Sequence, residues 1–242
     1  MGMGGKTGIN CFVLITGYFM CTSSISAIKY AKLLVERYFY SIIIFFIFVV
    51  SGYIVISIKG IAEVLFPFFN INTNFTGCYL LLYLFIPFLN KLINVMTARE
   101  HFILLILCLG IYTILPSFFG ANVTFNYVTW FVILYFIGAF LRLHLGKWEN
   151  RTKLWGVLSI LILALSFGSV VCFTYLGEKL GIAGLSYFFV ADSNKILAVL
   201  MAISSFLFFN SIKIKQNSFI NAIASSTFGV FSIHTNSDAM RQ

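Results

Sequence analysis

The chain reads as an all-α, polytopic membrane protein. Three observations lead there. No Asp, Glu, Lys or Arg occurs between Glu100 and Arg142, a gap too long and too apolar for a soluble core. Hydrophobic residues make up 60% of the chain and charged residues only 10%, against about 25% charged in a soluble domain. The Leu/Ile/Phe runs show no in/out alternation, so they fit helices and not barrel strands. A span needs about 20 mostly apolar residues, and a bilayer leaves helices or closed barrels as the only ways to satisfy the backbone.

Gaps between charged clusters give about eight spans, over 8–21, 38–58, 77–90, 102–118, 127–143, 154–175, 196–212 and 219–234. Gly60, Pro67, Asn70, Asn72 and Asn74 mark a loop, as do Pro116, Gly120 and Asn122. Gly177 to Gly181 has small-xxx-small spacing, but Glu178 and Lys179 between them favour a loop over a helix-packing seam. Residues 1–242 form a single membrane domain with no room for a soluble module.

Orientation follows from Lys and Arg, which collect on the cytoplasmic side. One set of alternate loops holds Lys29, Lys32, Arg37, Lys91, Arg99, Arg142, Lys147, Arg151, Lys153, Lys213 and Lys215; the other holds Lys6, Lys59, Lys179, Lys195 and Arg241. The first set is expected inside, which places both termini outside. With no preceding span to carry the N-terminus across, the expectation is of one further helix before Gly8 and another after Gln242. The net charge of +9 is explained by this loop bias, and no nucleic-acid partner is expected.

Several signals carry nothing. Gly5-Lys6-Thr7 lacks the strand and upstream glycine of a phosphate-binding loop. Lys6 stands where myristoylation needs Ser or Thr. Cys11, Cys21, Cys78, Cys108 and Cys172 contain no C-x-x-C pair and read as small hydrophobes, with neither a disulfide framework nor a metal site. No ionisable residue is expected in the middle of a span, which argues against a proton pump or cation-coupled transporter.

Candidate chemistry therefore sits at helix ends. His101 and His144 read as solvated loop residues, whereas His234 closes the apolar run Phe228-Gly-Val-Phe-Ser-Ile-His234 and is the candidate general base. Lys29, Lys32 and Arg37 offer counter-charge to an anionic donor. Tyr79, Tyr83, Tyr127 and Trp130 offer rings to a sugar, although interfacial aromatic belts explain most such residues.

These residues carry a family resemblance. Gly8-Ile-Asn10-Cys-Phe12-Val-Leu-Ile-Thr16-Gly17-Tyr18-Phe19 resembles the G-V-N-x-F-V-L-I-S-G-Y-F segment of the acyltransferase-3 family of integral membrane O-acyltransferases, with Thr16 in place of Ser. Tyr79-x-x-x-Tyr83-x-x-x-Pro87-Phe-Leu-Asn90 is similar to the family's Y-x-x-x-Y-x-x-x-P-x-L-N, and Trp130-Phe-x-x-x-Tyr135-x-x-Gly138-Ala-x-x-Arg142 to its later F-x-x-x-Y-x-x-G-A-Y-x-R helix. Phe228 to His234 resembles F-G-V-Y-L-I-H.

The resemblance implies a ten-helix plan of which this chain holds the middle eight. It also implies a cell-envelope O-acetyltransferase of the bacterial cytoplasmic membrane. Acetyl-CoA would be the donor, and the acceptor a sugar hydroxyl of a surface polysaccharide or lipid-linked glycan. It carries over Asn10, the group Lys29, Lys32 and Arg37, and His234; Trp130 and Arg142 join the substrate-binding candidates. The family's helix bearing its donor-side histidine has no counterpart, so inactivity of this chain alone is expected. A glycan flippase is the rival class; it calls for internal repeats or a charged central path, and neither is evident.

Overall fold

The computed structural model describes residues 6–66, 68, 75–121, 123, 126–148, 150–182, 185–213 and 217–234, with the side chains of Lys59, Lys147 and His234 outside that description. Its elements are α1 (Thr7–Met20), α2 (Ala27–Val50), α3 (Ile58–Leu65), α4 (Phe75–Val95), α5 (Ala98–Phe118), α6 (Tyr127–His144), α7 (Thr152–Leu180), α8 (Ile196–Ser211), α9 (Ser218–Ser225) and α10 (Thr227–His234). No strand occurs among the described residues. Helices α2, α4, α5, α6 and α7 are long and apolar enough to cross a membrane; α1, α8 and the α9–α10 stretch are shorter and equally apolar. The expected all-α polytopic plan is present, and each of the eight expected spans overlaps helix, although the second, 38–58, outruns α2, which ends at Val50.

The differences lie at helix ends and have local causes. Helix α2 starts at Ala27, not near Tyr38, because the Ser26 hydroxyl accepts from the Ile28 N–H and the charged residues after it are good helix formers. Lys29, Lys32 and Arg37 therefore stand on a helix and not in a loop. Arg37 lies well inside it and is 4% exposed, against the expectation that spans carry no ionisable residue in their middle. The expected loop after Gly60 contains α3, capped by the Ser57 hydroxyl on the Gly60 N–H.

The expected break near Pro116 to Asn122 follows α5, with Pro116 itself inside the last turn of the helix. The helix widens into a π turn over Gly110–Ile114 and continues to Phe118. Gly177 to Gly181 is likewise not a loop: α7 runs through Leu180 and stops at Gly181, whose φ of 67° is the left-handed conformation that glycine adopts without strain. The last span is interrupted at Ser226 between α9 and α10.

The chain divides into two compact units. One holds residues 1–23, 89–125 and 129–213; the other holds 24–88, 126–128 and 214–242. In the first, α8 packs on both α1 and α7, and α1 crosses α6 at two glycines. A Cβ on Gly17 would lie 2.5 Å from the Tyr135 carbonyl oxygen, and one on Gly138 would lie 2.5 Å from that of Leu14. Small residues let membrane helices approach backbone to backbone. Both glycines come from segments that carry the family resemblance, and this close crossing is their physical role.

In the second unit, α3 folds back along α2 and α10 packs on α2. A Cβ on Gly229 would lie 2.5 Å from the Tyr40 hydroxyl oxygen and 2.8 Å from its ring, and Phe231 stacks on Phe75 with centroids 4.9 Å apart.

Candidate functional site

Within the first unit the site builds from α1. Asn10 faces inward with no exposed surface. Its Nδ2 donates to the Ser193 carbonyl at 2.6 Å, and its Oδ1 accepts from Trp130 Nε1 at 3.0 Å. Burying an amide and an indole N–H costs free energy unless both are paired, and here each satisfies the other. Two of the sequence candidates, Asn10 and Trp130, are thus brought into direct contact. The third partner is the turn before α8, which no sequence signal singled out.

That turn, Asp192-Ser-Asn-Lys195, fastens three elements. Asp192 pairs with Lys6 at 3.1 Å; both side chains are partly exposed, so the pair contributes at most about 1 kcal/mol. Asn194 Nδ2 donates to the Tyr112 carbonyl at 2.7 Å, and Lys195 Nζ to that of Pro116 at 2.9 Å. Ser117 Oγ accepts from the Ile196 N–H at 3.2 Å. The arrangement answers a defect in α5: Pro116 has no N–H, so the carbonyl of Tyr112 four residues earlier loses its helical donor. Apolar surroundings make an unpaired carbonyl expensive, and Asn194 supplies the missing bond. Burial holds the Lys195 ammonium below the usual lysine range, with Asp192 pulling the other way.

Asn194→Leu, similar in size but unable to donate, is therefore expected to lower stability by about 1–3 kcal/mol. Thermal unfolding of the detergent-purified protein checks this, and an unchanged midpoint counts against Asn194 as the replacement donor. The Ser193 hydroxyl in the same turn is buried without a partner.

A second polar cluster lies eight residues further along α1. Tyr18, 2% exposed, receives hydrogen bonds at its hydroxyl from Arg142 Nη1 at 3.0 Å and Asn210 Nδ2 at 3.2 Å. The Arg142 guanidinium carbon also stands 4.9 Å from the Tyr18 ring centroid. Asn90 Nδ2 donates to the Met20 and Ser23 carbonyls, and its Oδ1 accepts from the Tyr135 hydroxyl at 2.7 Å. Arg142 is itself exposed, so a cation anchored on Tyr18 is presented at the end of α6, where it can meet an anionic group. Tyr18, Asn90 and Tyr135 all occur in the segments that carry the resemblance, whereas Asn210 has no local signal.

In the second unit Arg37 is the centre. Its Nη1 donates to the Val64 carbonyl and its Nη2 to that of Glu63 at 3.1 Å, while the neighbouring Tyr38 hydroxyl donates to the Leu65 carbonyl at 3.0 Å. These are the last carbonyls of α3, which a helix leaves without internal donors. A cation at a helix C-terminus also meets a favourable dipole. Lys29 and Lys32 are exposed on α2, and Lys32 lines a shallow surface groove of about 520 Å³ with Val35, Glu36 and Phe39. The three basic candidates are therefore separated: two face outward and Arg37 binds α3.

His234 ends α10, and its side chain lies outside the described residues. His101 is not the solvated loop residue expected. It is fully buried in α5, with Nε2 3.0 Å from the Phe136 carbonyl. His144 ends α6 and is exposed. Among the described residues no three His, Cys, Asp or Glu side chains cluster as a metal site, and the five cysteines are free.

Comparison with known proteins gives one result. The family description "Acyltransferase domain", of the acyltransferase-3 type, matches residues 3–236. No curated protein and no solved structure matches the chain.

Proposed function

Because the chain belongs to the acyltransferase-3 family, we propose that it is a membrane-bound O-acyltransferase, moving an acetyl group from acetyl-CoA to a sugar hydroxyl of a surface polysaccharide or lipid-linked glycan in a bacterial cytoplasmic membrane. The observation that carries this reading is a family match over nearly the whole length of a chain whose long helices are fit to span a bilayer.

Acetyl-CoA is cytosolic and phosphate-bearing; the exposed Lys29 and Lys32 of one unit and the exposed Arg142 of the other each offer it charge-assisted contacts, whereas Arg37 is committed to the α3 carbonyls. His234 takes the acceptor's hydroxyl proton as general base. The alkoxide attacks the thioester carbonyl, the tetrahedral oxyanion collapses, and CoA leaves as a thiolate that collects a proton.

The reading is tested by supplying radiolabelled acetyl-CoA to membranes from cells that make the chain in a form carrying the family's ten helices and from cells that do not. Base-labile label in the glycan fraction, dependent on the chain, is the supporting outcome. Equal label in both membranes, with the protein present and folded, contradicts it.

A further inference from the structure

His101 and His144 stand outside the clusters above. His101 lies in the first turn of α5 and has no exposed surface. Its Nε2 is 3.0 Å from the Phe136 carbonyl oxygen. A carbonyl only accepts, so the ring hydrogen of a neutral imidazole sits on Nε2 and Nδ1 keeps a lone pair. That Nδ1 is buried and has no hydrogen-bond partner. The ring packs edge-on against Phe136, Phe140 and His144, successive turns on one face of α6. The His101 and His144 centroids are 5.5 Å apart, with ring planes at 87°.

A buried lone pair left empty is costly, which calls for a physical reason. Metal-ligating histidines commonly donate their other N–H to a backbone carbonyl, fixing tautomer and ring orientation. His101 is held in that state. With metal–nitrogen bonds of about 2.0–2.1 Å, two imidazoles on one ion keep their centroids roughly 5–6 Å apart, and the observed separation falls within that range. His144 is exposed, so its ring can turn and an ion can reach the pair from solvent. It is also the last residue of α6, where the helix dipole favours a cation.

We infer that His101 Nδ1 and His144 form a two-imidazole site for a divalent transition-metal ion, with water filling the remaining positions. Imidazole suits copper, zinc and nickel, with copper(II) bound most tightly. The bound ion ties the first turn of α5 to the last turn of α6. Arg99 and Arg142, near in sequence, oppose the added charge and keep the affinity modest. Spacing rules could not find the site because its two ligands come from different helices. It is independent of the acyl-transfer reading.

The test uses the full chain purified without a polyhistidine tag, since the sequence holds only three histidines. Copper(II) is titrated and the electron paramagnetic resonance spectrum recorded. One ion per chain, with hyperfine splitting from two imidazole nitrogens, is expected. His144→Ala should weaken binding by at least about tenfold and remove one nitrogen from the spectrum, while leaving buried His101 packed. His101→Ala should do the same, and is interpreted only if the variant elutes as a folded species. Zinc should raise the unfolding temperature of the parent chain but not that of His144→Ala. A copper spectrum and affinity unchanged by His144→Ala, or a single-nitrogen spectrum in the parent, overturns the site.

Discussion

Gly138→Leu is expected to abolish accumulation of folded protein in the membrane, and Gly138→Ala to cost about 3 kcal/mol. The crossing of α1 and α6 has no room for a side chain: the nearest atoms to an added Cβ are the Leu14 carbonyl oxygen at 2.5 Å and the Tyr18 backbone nitrogen at 2.8 Å. These are backbone atoms and cannot turn aside as a flexible side chain does. Separating the helices would also disturb the Asn10–Trp130 and Tyr18–Arg142 bonds, which span the same two helices. Gly168 on α7 has open space around it and is the control, since Gly168→Ala should be tolerated. Membrane abundance and thermal unfolding of the three variants decide the matter. Equal behaviour of Gly138→Ala and Gly168→Ala would contradict the close crossing.

Arg37→Met should destabilise the protein by about 2–5 kcal/mol, because it leaves the Glu63 and Val64 carbonyls without donors at the end of α3. Arg37→Lys should recover only part of the loss, since an ammonium is a point donor and the guanidinium fork serves two carbonyls at once. Proteolysis around residues 58–66 reports the release of α3 directly. It should rise in Arg37→Met while cleavage elsewhere changes less. If α3 stays as protected as in the parent, Arg37 is not its anchor and its charge is available for another partner.

These two sites show what was legible in the sequence. Long apolar runs between charged clusters revealed the spans, because hydrocarbon length sets helix length directly. Helix ends were less legible. Lys29, Lys32 and Arg37 read as loop residues because charge was taken to end a span, yet Ser26 caps the helix before them and Arg37 finds carbonyl partners on α3. Pro116 reads as part of the loop after the span ending at 118, yet it lies in the last turn of the helix. Its missing hydrogen bond is supplied by Asn194 from a turn far along the chain, which no local pattern encodes. His101 read as solvated because it follows Arg99 and Glu100, whereas the capping box of Thr97 and Glu100 starts a helix there and turns His101 against α6.

For the site, the segment beginning Gly8-Ile-Asn10 and the one from Trp130 to Arg142 both carry a sequence signal, and the structure joins them through two side-chain bonds, Asn10–Trp130 and Tyr18–Arg142. The turn at 192–195 was missed: its four polar residues look like an ordinary connection until the carbonyls they serve are known.

Asn10 is where fold and proposed chemistry meet, and its replacement tests the account most directly. The measurement is the initial rate of label transfer from acetyl-CoA to glycan by membranes bearing the parent chain, Asn10→Ala and Tyr135→Phe, at matched abundance of folded protein. In a form that carries the family's ten helices the parent is expected to transfer label, Asn10→Ala to fall by about tenfold or more as Trp130 and the 192–195 turn lose their shared partner, and Tyr135→Phe, lacking only its bond to Asn90, to retain most of the rate. Transfer by Asn10→Ala at the parent's rate, with both proteins equally folded, would contradict it.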